Sequence, residues 1–547
     1  MKRLACLLAL ATPAFAAPSV APSGISEVSL KADTAMLASD GFEGRKPGTP
    51  GGDKAVAFIT QRMAAMGLKP GNHGSWTQDV PLVTITTAPT PLVLAGGASL
   101  LTLAYGTDVV LWTKRQAPTQ ALTASPVVFV GYGITAPDKG WDDYAGLDVR
   151  GKTVIFLVND PDWQTKAAGK DAGAFEGRAM TYYGRYTYKF EEAARHGASA
   201  AFVIHDTEPA GYPWGVITTS WTGPQIDLDS PDKGAGRVGV EGWITRAAAE
   251  RMLAAGGKDL AALTKAAQTK GFHAERLPIT ASASLANTIS RSASKNVIGI
   301  VPGTRAPDQT VLFTAHWDHL GRCPVDKTGD DICNGAVDNA TGVAGLLALG
   351  QAFAAGPKPA RTVVFAAVTG EESGLLGSRW YAEHPVFPLA TTAGGVNMDG
   401  LNVGGRTRDV TISGGGKSDL DTMATAVAKA QGRTIAPESS PEKGGYFRSD
   451  HFSLAKLGVP MLRAGSGTDR VDGGTAAGQA AADDYTAHRY HQPSDNYDPQ
   501  WNWAGAVEDL DLYYAVGRTL ADGSGWPAWY AGAEFKALRE TSADARR

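Results

Sequence analysis

Apolar residues recur at three- and four-residue steps through DKAVAFITQRMAAMGLKP, at Val56, Ile59, Met63, Met66 and Leu68. That spacing predicts helix within residues 31–69, stopped by Gly67 and Pro70. The Gly- and Pro-rich run GFEGRKPGTPGG ahead of it reads as a loop. From about residue 82 the period shortens. PLVTITTAP, DVVLWT, PVVFVGYGI, KTVIFLVND and SAAFVIH are short β-branched runs separated by Gly, Pro and Asp, the texture of a strand-rich module. Two helical patterns interrupt it, YTYKFEEAARHGA and TRAAAERMLAAGG.

From about residue 293 strand and helix patterns alternate. NVIGIVPG, TVLFTAHWDH, RTVVFAAVTG and GGVNMDG read as strands; GVAGLLALGQAFAAG, SGLLGSRWYAEHP and DLDTMATAVAKAQG read as helices, and SLAKLGVPMLRAG as a helix leading into a strand. Such alternation predicts an α/β fold, a mostly parallel sheet flanked by helices, with the strand-rich α+β module inserted into it. The expected limits are 17–81 and 289–547 for the main domain and 82–288 for the insertion.

A chain of 547 residues exceeds what one core organises, so more than one domain is expected. The formal net charge of -4 comes without a basic stripe, which gives no footing for nucleic acid or for an anionic membrane surface. Lys2 and Arg3, the apolar run Leu4 to Ala11 and the sequence Ala14-Phe15-Ala16 match a secretory leader cleaved after Ala16. Export to the periplasm or the medium is the expectation. No other run is long and apolar enough to span a bilayer, so no stable membrane association is expected. Beyond Cys6, inside the leader, only Cys323 and Cys333 remain, which predicts a disulfide worth roughly 2–3 kcal/mol.

Metal-ligand residue types then stand at ordered places. TAHWDHLG sets His316 and Asp318 two apart at a strand end, on one face; Asp318 is placed to orient the imidazole. NGAVDNATG sets Asp338 ahead of an apolar helix, where it can cap the helix, bridge two cations, or do both. VTGEESGLLGS puts Glu371 and Glu372 after a buried strand: the second suits a ligand, the first a general base. NMDG ends a strand at Asp399, and YHQPSDNYD carries His491 in a loop. Together they can build a two-metal hydrolase site, one ion taking His316, Asp399 and Asp338, the other Glu372, His491 and Asp338.

TAHWDHLG, NGAVDNATG, TGEESGLLGS, NMDG, YFRSDHFSLAKLGVP and YHQPSDNYD, with EGRKPGTPGG near the start, resemble the zinc aminopeptidase and glutamate-carboxypeptidase-like metallopeptidases. The resemblance implies a peptidase fold with two zinc ions, peptide substrates, Asp338 bridging, Glu371 as base, and His316, Glu372, Asp399 and His491 as terminal ligands. VGYGITAPDKGWDDYAGLDVRGKTVIFLVNDP within the insertion is similar to a protease-associated domain, which either shapes access to the site or is a passive insert. Ser449 to His451 recur in the family pattern as supporting residues. Tyr446 is either an oxyanion donor or a packed aromatic.

An exported aminopeptidase is the leading expectation. A carboxypeptidase of the glutamate-carboxypeptidase type needs a cation for the terminal carboxylate, with Arg448 and Arg463 as candidates. A glutaminyl cyclase would use one zinc, and a non-catalytic receptor-like relative none of the chemistry. Residue preference and oligomeric state are not written in the sequence.

Overall fold

The computed structural model describes residues 23–96, 100–169 and 172–546. The expected leader, 1–16, lies outside the described residues, as does Cys6.

The main half is built on four parallel strands: β8 (Ala306–His316), β9 (Arg361–Val368), β10 (Thr392–Asn397) and β11 (Met461–Leu462). They lie in the order β11–β10–β8–β9. Every residue of β9 and β10 is buried, because helices cover both faces, and that is why these strands read as unbroken apolar runs. Alternate residues serve opposite layers. Val311, Phe313, Val363 and Phe365 join one core with helices α1 (Glu27–Leu37), α2 (Pro50–Ala65), α5 (Gly342–Ala355), α7 (Asp419–Ala430) and α9 (Ala504–Asp522). Leu312, Val364 and Ala366 join the other with α6 (Leu376–Glu383).

The helical pattern expected across 31–69 resolves into α1 and α2 with a turn at 40–45 between them. Thr49 caps α2 by accepting from Gly52 N–H, and Pro50 opens it, where proline's missing N–H costs nothing.

A second stack follows in the insertion: β2 (Val109–Trp112), β3 (Thr119–Phe129), β4 (Thr153–Leu157), β5 (Ala200–His205) and β6 (Val240–Thr245), with α3 (Tyr186–Arg195) crossing from β4 to β5 and α4 (Arg246–Ala255) after β6. β3, β4, β5 and β6 are parallel neighbours, and β2 closes the edge antiparallel.

One strand joins the two halves. β7 (Glu275–Val301) pairs antiparallel with β9 through Val297–Val301 and with β3 through its first half. β1 (Thr77–Pro89) runs beside it from Thr77 opposite Val297 to Pro89 opposite Leu285. The sheet therefore passes through the expected limits at 82 and 288 without a break. β7 also makes the whole sheet mixed: parallel blocks meet across an antiparallel seam. The insertion packs back on the main half, with Lys456 Nζ 2.6 Å from Glu191 Oε1 and the Tyr182 ring 5.0 Å from that of Phe452. Among the described residues no helix is long and apolar enough to cross a membrane.

Candidate metal centre

The carboxyl edge of the parallel strands gathers the expected residues, the edge where open α/β sheets hold ligands. His316 is the last residue of β8, Glu371 and Glu372 follow β9 after Thr369 and Gly370, and Asp399 stands two residues past β10. Asp338 arrives on the irregular turn 336–341 that opens α5, and His491 on the loop after α8 (Gly474–His488).

Asp338 lies between two imidazoles. Its Oδ1 is 3.3 Å from His316 Nε2, and its Oδ2 is 3.3 Å from His491 Nε2. Asp399 Oδ1 is 3.3 Å from the same His316 nitrogen, and Glu372 Oε2 is 3.0 Å from the same His491 nitrogen. The five side chains thus form two triads sharing one carboxylate. Donors held tetrahedrally about one zinc at roughly 2.0–2.2 Å stand about 3.3–3.6 Å apart, close to the 3.0–3.3 Å that separates each imidazole nitrogen from its two carboxylate oxygens. His491 Nε2 is buried and makes no hydrogen bond of good geometry. The donor atoms of His316, Asp338 and Glu372 lie within 4.8 Å of one another. The donor set fits divalent-cation ligation.

Electrostatics gives the same picture. Burial alone would raise the Asp338 carboxyl, but His316 and His491 hold it well below the usual carboxylate range. Burial would depress His491, yet Glu372 and Asp338 push it up to about 10. His316 is likewise raised, by Glu371, Asp338 and Asp399 against its burial. The cluster draws positive charge into itself. Glu371 goes the other way: burial first, then Asp399, Glu372 and Asp450, raise its carboxyl well above the ordinary value, with His316 opposing.

The supporting groups are specific. Gly335 has φ +54, and a Cβ there would meet the Asp338 carbonyl and the His319 ring; only glycine suits such a place. Asn339 donates to the carbonyls of His316 and Met398 and accepts from Gly342 and Gly400 N–H, tying three ligand segments together. The Asp495 carboxylate accepts the N–H groups of Val337 and Asp338. His319 is buried with Nδ1 2.5 Å from Glu372 Oε1. Sequence reading assigned none of these four a role. His319 and Asp495 stand inside quoted motifs, and their ligand chemistry beside assigned ligands was the available signal.

Two expected roles are placed differently. Asp318 was expected to orient His316 through its carboxylate. Instead His316 Nδ1 is 3.1 Å from the main-chain carbonyl of Asp318, and the carboxylate, 3.8 Å away, accepts Glu371 N–H. The two-residue step does put both groups on one face, but the carbonyl is nearer. Tyr446 is not brought to the ligands as an oxyanion donor: its hydroxyl is 3.5 Å from the Met461 carbonyl and its ring packs on His451 at 4.6 Å. The phenol over the centre is Tyr490, stacked on His491 at 3.8 Å. Of the two candidate arginines, Arg463 borders the site with Nη2 3.5 Å from Asp399 Oδ2, whereas Arg448 lies over the Tyr212 ring of the insertion. Cys323 and Cys333 are bonded.

Residues 296–515 match the sequence profile of Peptidase family M28. A protein of Pyrenophora teres f. teres named "Probable zinc metalloprotease" is 39% identical over 103 residues, 19% of this chain and 22% of that one. A "Vacuolar membrane protease" of Schizophyllum commune is 35% identical over 111 residues, 20% of this chain and 11% of that one. The chain thus spans about a fifth of the first relative's length and about a tenth of the second's. Among solved structures, an aminopeptidase from Aneurinibacillus sp. strain AM-1 aligns over 91% of this chain and 94% of its own, at 19% identity and a TM-score of 0.48. The profile match encloses all five ligand candidates and Glu371, so the segment that bears the site is similar to peptidase family M28.

Proposed function

We propose that the chain is a zinc-dependent exopeptidase that removes N-terminal residues from peptides and holds two zinc ions. One observation carries the reading: each oxygen of Asp338 faces a different imidazole, and each imidazole faces a second carboxylate. His316, Asp338 and Asp399 would hold one ion, and His491, Asp338 and Glu372 the other. Zinc there supplies Lewis-acid polarisation of a carbonyl and acidifies water.

The chain's own part in proton movement falls to Glu371. Among the described residues Glu371 forms no ion pair with either imidazole, and its proton affinity is raised by burial and its acidic neighbours. Such a carboxylate suits general acid–base work: it accepts a proton from water and delivers it to the departing amine. Tyr490 covers His491 on one side and limits water access to that ligand.

A carboxypeptidase is the second reading. It rests on Arg463, a guanidinium at the site's border whose nearest carboxylate is 3.5 Å away and which could pair with a substrate carboxylate. We also propose export, supported by the leader pattern before Ala16 and by the Cys323–Cys333 pair. The test is turnover of aminoacyl-anilides against C-terminal glutamyl dipeptides, with chelator and then zinc added. Anilide hydrolysis that chelation abolishes and zinc restores is expected. Cleavage of the dipeptides alone would select the second reading, and hydrolysis indifferent to chelation would defeat both.

A further inference from the structure

We infer that Arg45, far outside the segment that carries the ligands, is a positioning residue of the metal centre: its guanidinium fixes the separation of the two chain segments that bear His316 and Asp338. Arg45 is fully buried. Nε donates to the Trp317 carbonyl at 2.8 Å, Nη1 to those of Leu37 and Asn334 at 2.7 and 2.5 Å, and Nη2 to that of Gly335 at 2.9 Å. Trp317 follows His316 directly, and Asn334 and Gly335 lead into Asp338. One rigid planar fork therefore spans both ligand segments and the end of α1. A lysine, with one flexible nitrogen, cannot reproduce that geometry.

The charge has a use as well. Among the described residues no carboxylate pairs with Arg45 within 4.0 Å, yet Asp318, Asp495, Asp338 and Glu372 stand near enough to sustain its charge against burial, which lowers the guanidinium to about 10. A fixed cation behind a nest of carboxylates offsets part of their mutual repulsion.

The turn that delivers Arg45 is built for this. Gly44 has φ +67, and a Cβ there would come 2.6 Å from the carbonyl oxygens of both Cys333 and Gly321. The turn thus rests on the loop that the Cys323–Cys333 bond closes, immediately before Asn334.

The inference rests on the zinc reading above, so the test separates the two. Zinc affinity is measured on the full chain by competition with a chromophoric chelator, beside the unfolding midpoint of the zinc-free chain. Arg45→Lys and Gly44→Ala are compared with Arg361→Lys. Arg361 is equally buried and bonded to the Leu520 carbonyl and Gln309, but stands at the opposite end of β9 from Glu372. Arg45→Lys is expected to bind zinc about 10–100-fold more weakly and Gly44→Ala to weaken it in the same direction. Arg361→Lys should lower the midpoint and leave zinc affinity unchanged. A parent chain that binds no zinc defeats the proposed function itself. A parent that binds zinc, with Arg45→Lys equal to it or Arg361→Lys weakened as much, overturns the role of Arg45. If Arg45→Lys does not fold, Gly44→Ala decides, unchanged affinity overturning the inference. If neither folds while Arg361→Lys does, Arg45 belongs to the core and the inference is likewise overturned.

Discussion

His319 Nδ1 stands 2.5 Å from Glu372 Oε1, while the other oxygen of Glu372 faces His491. An imidazole N–H donating there fixes which oxygen is free to serve as ligand. Outer partners of this kind change metal affinity by about 10–100-fold when removed. His319→Ala is therefore expected to lose zinc by about that factor and to regain turnover when zinc is supplied in excess. Unchanged zinc affinity would show that Glu372 is oriented by something else.

Glu371 and Glu372 are neighbours with opposed electrostatics. Glu372 is held below the ordinary carboxylate value by His319 and His491 against its burial, whereas Glu371 is raised. Glu371→Gln should keep its full zinc content and reduce kcat by about 10²–10⁴-fold. A variant of normal kcat would remove Glu371 from the mechanism, and one that loses zinc would make it a ligand.

Gly335 offers a steric test that replaces no ligand side chain. Its φ of +54 and the proximity of the Asp338 carbonyl and the His319 ring leave no room for a methyl group. Gly335→Ala is expected to cost about 1–3 kcal/mol of stability and to displace Asp338, so that zinc binding weakens in a chain that still folds. Retained affinity would mean that the 335–338 turn tolerates movement without consequence.

The insertion carries its own pH dependence. Asp143 is buried, accepts from the Tyr132 and Ile134 N–H groups and the Trp141 indole, and burial raises its carboxyl to about 6 despite those donors and Lys189. Because the folded value lies above the unfolded one of 3.8, the contribution is full below about pH 4 and is lost as pH rises through about 6. A shift of that size corresponds to about 3 kcal/mol. The stability deficit of Asp143→Asn against the parent chain, from urea unfolding, should therefore shrink from pH 4 to pH 7. A deficit that grows over that interval would reverse the sign.

Much of the centre was legible because four of its residues stand at strand ends, where an apolar run stops and one polar side chain is left projecting. Asp338 and Glu372 needed only their place before a helix and after β9. Arg45 stands in EGRKPGTPGG, whose glycines and prolines read as a loop. Its partners are main-chain carbonyls, which leave no mark on the sequence. Tyr446 and Tyr490 differ by their neighbours in space, not in their flanking residues. The strand continuing through the expected boundary at 288 is visible once pairing is known, in the alternation of Leu277, Ile279, Ala281, Ala283 and Leu285. Its small and polar intervening residues hid it. Helix α9 escaped notice because it is buried nearly all round, including Asp509 against Arg433, which erases the amphipathic period. Helix α8 buries no residue, so it has no apolar stripe to detect.

Zinc bound per folded chain at saturation, measured by elemental analysis after removal of free metal, tests the central geometry most directly. Two triads sharing Asp338 predict two ions per chain. A single ion at saturation, or none, would contradict a carboxylate that serves both imidazoles through a pair of cations.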